Sequence, residues 1–291
     1  MKTPPFAYAA PDSIEEVLAL LAEHGDEAKI IAGGQSLVPM LAMRLARPAQ
    51  LVDVTRVAAL GGIEDGGGFV AFGATARERD AERSALVAER LPVLAEALPH
   101  IGHVAIRNRG TIGGSIAHAD ASAELPAVAV VTDAEMVVRG PAGERVVPAD
   151  GFFRGHFTTA LAGDEFLVEV RVPVAEPTSG WSFQEVARRH GDFALVGAAA
   201  MVALGGDGAI DESRICLFGV GDRPVRAPEA EAALVGTPAS ADAFAAAAAA
   251  AVADLEPAAD THGSRAYKQH LAGVVVRRAL TAAAERAGGS S

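Results

Sequence analysis

The chain has 291 residues, 50% of them hydrophobic, and 25 Lys and Arg against 37 Asp and Glu leave a formal charge of −12 at pH 7. That length supports one large globular unit or two packed ones with their own cores, and that charge argues against long-range attraction to nucleic acid or an anionic membrane. With Cys216 as the single cysteine, neither a disulfide framework nor a four-cysteine zinc or iron–sulfur site can be assembled from this chain; a cluster of that kind belongs on a partner.

The amino terminus, "MKTPPFAYAAPDSIEEV", carries Pro, Tyr, Asp and Glu where a signal peptide needs an apolar core, and reads as cytoplasmic. Asp12 or Ser13 caps a helix whose Ile14, Val17, Leu18 and Leu21 share one face and whose end is marked by Gly25. "KIIA" then reads as a strand, "AGGQS" as a loop at its carboxyl end, and "QLVDV" at 50–54 as the next strand. After "IEDGGGFVAFGATAR", which reads as a glycine turn feeding a strand, a long helical pattern runs from about Glu78 to Leu98, broken by Pro92 and ended near Pro99 and Gly102. A second glycine loop, "RNRGTIGGSIAHADASAELP", follows, and "AEMVVRG" and "FLVEVRVPV" read as strands.

"PVAEPTSG", residues 173–180, reads as a linker. Beyond it "WSFQEVARR", "ALVGAAAMVAL" and "RICLFGVGD" are successive strand candidates, followed by helix candidates near 228–235, 240–255 and 264–286. Strands segregated from helices predict a small α+β unit with an antiparallel sheet. The seven alanines from Ala245 to Ala251 are too short and too weakly hydrophobic to span a bilayer and suit a packed helix.

The two glycine loops carry the chemistry. Gly33 and Gly34, and Gly113 and Gly114, remove side chains beside Ser36 and Ser115, so that main-chain amides can approach a ligand. Consecutive amides bind phosphate oxygens without a nearby cation, and two such loops suit two linked phosphates, as in a dinucleotide. Neither GxGxxG opening a first βαβ unit nor GxxxxGK[ST] is present, so the binding scheme is a different one.

Together, "AGGQSLVPMLAMRLARP" and "RGTIGGSIAHADASAELPAV" resemble the FAD-binding (medium) subunits of the molybdenum hydroxylases, the carbon monoxide dehydrogenase and xanthine dehydrogenase family. "FQEVARRHGDFALVGAAA" extends the likeness to the carboxyl-terminal third. The resemblance implies an α+β fold: a two-part FAD-binding domain of the PCMH type over residues 1–176, split at about 56/57, then a small domain of antiparallel sheet plus helices over 177–288. It implies FAD held by Ala32, Gly33, Gly34, Gln35 and Ser36 at the pyrophosphate and ribose, and by Thr111, Ile112, Gly113, Gly114 and Ser115 at the pyrophosphate and ribityl chain. Asp120 and Glu124 match acidic positions at the ribityl and flavin end, with a helix cap as the other reading of Glu124. Leu161 matches a backbone contact to the isoalloxazine, against a plain core leucine, and Phe193 an aromatic near the flavin face, against simple core packing.

No catalytic base and no metal site is expected in this chain. His118 suits a loop histidine held by hydrogen bonds, His100 and His103 have no third ligand near them in sequence, and Arg107 and Arg109 either order the second loop, meet phosphate or are solvated. The implied activity is electron transfer: substrate oxidation at a molybdenum cofactor on a large subunit, passage through two [2Fe–2S] clusters of a small subunit, and delivery through FAD to NAD, a quinone or oxygen, in a dimer of heterotrimers (a heterohexamer) that meets a membrane only through the complex. The rival readings are a free-standing FAD-dependent reductase or oxidase on the same fold, and a non-redox nucleotide-binding scaffold.

Overall fold

The computed structural model describes residues 2–288. Its first sheet is parallel, with Gln50–Asp53 between Ala7–Ala9 and Ala28–Ile31. The helix Ile14–His24 links two of these strands. Ser13 caps it by accepting from the Glu16 amide at 3.2 Å, Glu16 reaches back to the Asp12 amide at 2.9 Å, and Gly25 ends it at φ +51°. Val17 and Leu21 are buried with Val52 and Val54, and this core continues onto Val137, Phe166 and Val168 of the second sheet.

The second sheet is antiparallel, in the order Ile63–Asp65, Phe69–Gly73, Phe166–Pro173, Glu135–Gly140, Gly143–Pro148. The long helix expected from Glu78 to Leu98 is instead three short ones, Glu78–Arg83, Ala85–Arg90 and Pro92–Ala97, with a 3-10 turn Leu98–His100. Pro92 explains one break, because it forces Leu91 out of the helical region (φ −131°, ψ 65°). Ser84 makes the other: its extended backbone (φ −73°, ψ 123°) lets its hydroxyl accept from the Val87 amide at 3.4 Å and start a new helix.

The third sheet is antiparallel, in the order Ser179–Val186, Val196–Leu204, Ile210–Phe218, Val225–Arg226. The helices Pro228–Leu234, Ala241–Val252 and Arg265–Gly288 follow. Both faces of this sheet are covered. Ala198, Ala200, Val202, Ile215 and Leu217 pack on the carboxyl-terminal helices, while Ala199, Met201, Cys216, Phe218 and Phe183 join the core formed by the second sheet and the helices Ile112–His118 and Glu124–Val131. Burial on both faces explains why "VGAAAMVAL" shows no polar alternation. Cys216 is fully enclosed there, and burial pushes its thiol up to about 12.

The third strand of this sheet begins at Ile210, four residues before the expected Arg214. Ser179 and Gly180 belong to a strand, not to the expected linker, which leaves 174–178 as the connection. Gly180 serves close packing: a Cβ there would lie 3.0 Å from the Ala283 carbonyl carbon of the long terminal helix. Among the described residues no helix is long and apolar enough to cross a membrane.

Candidate functional site

The first glycine loop leaves the carboxyl end of the strand Ala28–Ile31 and enters the short helix Leu37–Ala42. Gly34 turns the chain at φ +72°, a left-handed conformation that also crowds Ile31 and Val38, so a side chain there is strained twice over. The consequence is a run of donors. The amides of Gly33, Gly34, Gln35, Ser36 and Leu37 make no hydrogen bond among the described residues. Gln35 braces the turn by donating from Nε2 to the Gly33 carbonyl at 3.0 Å, and the Ser36 hydroxyl does not cap the helix it precedes.

The second loop is built differently. Thr111 caps the helix Ile112–His118 by accepting from the Gly114 amide at 3.0 Å. Ile112 donates to the Ala76 carbonyl at 2.9 Å, Gly113 to Ala74 at 3.1 Å and Ser115 to Thr111 at 3.1 Å. These amides are therefore engaged within the protein, whereas the reading from sequence had both loops present amides to phosphate. The glycines answer to packing instead, since a Cβ on Gly113 would lie 2.6 Å from the Ala74 backbone and one on Gly114 2.5 Å from the Thr111 hydroxyl. The Ser115 hydroxyl, by contrast, is partly exposed and has no protein partner among the described residues.

The loops meet back to back. A Cβ on Gly33 would lie 2.9 Å from the Arg109 carbonyl carbon and from the Gly110 Cα, and nearer still to the carbonyl oxygen, which also accepts from the Arg77 guanidinium. The first loop is therefore seated against the start of the second, at Arg109 and Gly110. Arg107 settles the alternatives left open for it: it is buried, grips both Glu82 oxygens at 2.8 and 2.9 Å, and donates to the Ile101 carbonyl at 2.9 Å, so it orders the approach to the loop. Arg109 is exposed and contributes its backbone.

Beyond the second loop the chain turns at Ala119, which adopts φ +53°, and Asp120 accepts from the Ser122 amide at 2.9 Å. His118 is half-buried and stacks on Phe157 with ring centroids 4.9 Å apart. Burial lowers its pKa, Asp120 opposing and Lys29 assisting, so the ring is neutral near pH 7. Ala123 occupies the cap position of the helix Glu124–Val131, so Glu124 is not its cap. Glu124 is only 5% exposed, and burial raises its pKa to about 7, with Asp120 adding to the rise while Arg107 opposes it.

Leu161 is half-buried, packs against the main core and donates its amide to the Thr159 hydroxyl at 3.3 Å. Phe193 lies on the loop between two strands of the third sheet and is 60% exposed, which rules out simple core packing.

Two features escaped the sequence reading. Glu78 is 4% exposed and its carboxyl packs against Gly110, where a Cβ would lie 2.6 Å from its Cδ; burial, then repulsion from Glu124, pushes it to about 8, with Arg107 opposing. It sits in the charged run "RERDAER", at the start of the helical pattern expected from about Glu78 to Leu98. The other is His190, whose ring stands 6.5 Å from that of His100 and 6.4 Å from that of His103. Even so, no cluster of His, Cys, Asp and Glu among the described residues is arranged to hold a metal.

A loop of uncharged donors with a hydroxyl in each adjoining segment suits a diphosphate, and comparison with known proteins leads to the same ligand class. Residues 4–175 match the family model described as the FAD binding domain in molybdopterin dehydrogenase, and residues 181–283 match that of the CO dehydrogenase flavoprotein C-terminal domain. The chain is 45% identical to the 6-hydroxypseudooxynicotine dehydrogenase complex subunit alpha of Paenarthrobacter nicotinovorans, over 99% of this chain and 97% of that one. It is 42% identical to the carbon monoxide dehydrogenase medium chain of Hydrogenophaga pseudoflava, over 97% and 98%. A solved structure of carbon monoxide dehydrogenase from Hydrogenophaga pseudoflava, lacking the Mo-pyranopterin moiety of its cofactor, superposes with a TM-score of 0.96 at 44% identity, covering 98% of this chain and 99% of that chain. The chain thus belongs to the FAD-binding medium subunits of the molybdenum hydroxylases, the oxidoreductase family of carbon monoxide dehydrogenase and xanthine dehydrogenase.

Proposed function

We propose that this chain holds FAD with the diphosphate over the amides of Gly33–Leu37, and relays electrons out of a molybdenum hydroxylase complex. The observation that carries the reading is that run of unpartnered amides, held against the second loop at Gly33. Ala32, Gly33, Gly34, Gln35 and Ser36 hold the pyrophosphate and ribose. Of the second loop, Ser115 supplies a hydroxyl toward the pyrophosphate and ribityl chain, while Thr111, Ile112, Gly113 and Gly114 fix its shape. Asp120 lies at the ribityl and flavin end with Glu124 enclosed behind it, the Leu161 backbone meets the isoalloxazine and the exposed Phe193 ring covers it. Bound FAD supplies the means to accept electrons singly and release them in pairs.

In this reading the [2Fe–2S] clusters lie on a small partner subunit and the molybdenum cofactor on a large one, in a dimer of heterotrimers in the cytoplasm. The acceptor is NAD, a quinone or oxygen. The FAD domain spans 1–176, in halves of about 1–56 and 57–176, and the second domain spans 177–288. Native co-purification with metal and flavin analysis tests the division of labour. Iron and molybdenum accompany the complex and leave when this chain is isolated, with FAD partly retained; iron that stays with the isolated chain contradicts it.

A further inference from the structure

Three carboxyls are enclosed around the second loop and the third sheet, and two of them have an oxygen without a partner among the described residues. Glu78 donates its amide to the Gly110 carbonyl at 3.1 Å and packs its carboxyl against the same residue, immediately before the second loop. Glu124 opens the buried helix that follows that loop. Glu185 approaches from the third sheet, its side chain 3% exposed. One oxygen of Glu78 and one of Glu185 are buried with no hydrogen-bond partner among the described residues. Glu124 repels both of them.

The remaining charges around this group do not neutralise it. Arg107 is the cation that opposes ionisation-linked repulsion at Glu78 and Glu124, and it is committed to both oxygens of Glu82. Asp120 adds further negative potential at Glu124. A buried carboxyl in such surroundings keeps its proton. Burial, then the repulsion from Glu124, pushes Glu185 to about 8, so all three groups exchange protons close to neutral pH.

One side of the group leads to water. His100 Nδ1 stands 3.9 Å from Glu185 Oε2, and the ring packs on Phe183 with centroids 5.4 Å apart. His100 is partly exposed and lies beside the exposed His190. Burial, then His190, lowers its pKa while Glu96 opposes, so it is uncharged at neutral pH and able to accept a proton on one nitrogen as it gives one from the other.

We propose that Glu78, Glu124 and Glu185 form a proton store behind the flavin site, filled and emptied through His100. The inference rests on the FAD site proposed above. Where bound FAD took up two electrons from an iron–sulfur donor together with one proton, one of these carboxyls would supply the proton, become a carboxylate and be re-protonated from solvent through His100. An acceptor that takes electrons alone would send the proton back along the same path, whereas hydride transfer to NAD would carry it away with the electron pair. His100 and Glu185 act as relay groups on this path.

The full chain loaded with FAD, reduced anaerobically and mixed with ferricyanide, isolates the proton path, because ferricyanide takes electrons and no protons. Visible absorbance follows the flavin and a pH-indicator dye follows the proton reaching solution. In the parent the two signals coincide. In His100→Phe and Glu185→Gln the dye signal lags the flavin signal by about a hundredfold or more, the scale on which loss of a proton-transfer group acts, and added imidazole shortens the lag in His100→Phe, which repair of a merely structural defect does not do. Infrared spectra of the same chain without FAD show a deuterium-sensitive protonated carboxyl band at pH 6 that Glu78→Gln diminishes. Coincident signals in both variants, or no such band, overturn the store while leaving the flavin site intact. Failure of the parent to take up FAD overturns the site and the store together.

Discussion

Replacing Gly33 by Ala tests the junction of the two loops. The added methyl would lie 2.9 Å from the Arg109 carbonyl carbon and the Gly110 Cα, where unstrained carbon atoms sit about 3.5–4.0 Å apart. Backbone opposes it on that side and Arg77 holds the Arg109 carbonyl in place, so relief requires the loops to part by about 1 Å, an overpacking cost at the upper end of about 1–3 kcal/mol. The same displacement carries the amides of residues 33–37 away from Ser115. Losing two hydrogen bonds to a charged ligand, at about 1.5–3 kcal/mol each, weakens FAD binding by about 100-fold or more. Fluorescence titration of the flavin-free full chain measures the affinity, and the variant's melting temperature reports the strain. Gly206→Ala, where nothing lies within 4 Å of the added atom, is the control. A Gly33→Ala chain that binds FAD within about threefold of the parent, about 0.6 kcal/mol, and melts with it refutes the reasoning.

Stability against pH follows from Glu78. Its folded pKa of about 8 lies above the ordinary 4.5, so the unfolded chain ionises first and the stability present at pH 4.5 is lost as pH rises toward 8. That span corresponds to at most about 5 kcal/mol. Glu78→Gln flattens the slope and, after about 1–3 kcal/mol for burying the amide, leaves the chain more stable at pH 8 by at most about 2–4 kcal/mol; urea unfolding at both pH values checks it, and parallel slopes contradict it. Arg107→Met strips Glu82 of its bidentate partner and the Ile101 carbonyl of its donor, while Arg79 still pairs with Glu82 at 2.8 Å, which lowers stability by about 1–3 kcal/mol. Phe193→Ala, at a site 60% exposed, leaves unfolding by urea unchanged within about 0.5 kcal/mol, yet alters the fluorescence of bound flavin. A large loss of stability there contradicts its placement over the ring.

Local signals in the chain were readable where the physics is local. Ser13 caps the first helix and Gly25 ends it, as the residues alone predict. The turn at Gly33 and Gly34 was recognisable because paired glycines after a β-branched run mark a sharp change of chain direction, and Gly34 makes it at φ +72°. What escaped depended on distant partners. The insertion of Phe166–Pro173 between Phe69–Gly73 and Glu135–Gly140 has no counterpart in residue order. Nor does the Ala74 backbone behind Gly113, which turns an apparent ligand glycine into a packing one. Glu78 shares its charged run with residues that are exposed, and only the approach of Gly110 and Glu124 distinguishes it. Ser84 reads as one polar residue within a helical pattern, while its cap geometry splits that pattern.

Amide spectra of the isotope-labelled chain during FAD addition probe the phosphate cradle directly. The resonances of Gly33, Gly34, Gln35, Ser36 and Leu37 move on addition of FAD or ADP and stay in place on addition of riboflavin, which has no phosphate. The amides of Ile112, Gly113 and Gly114, already bonded to the protein, move far less. Flavin that binds while the first group stays fixed contradicts the account.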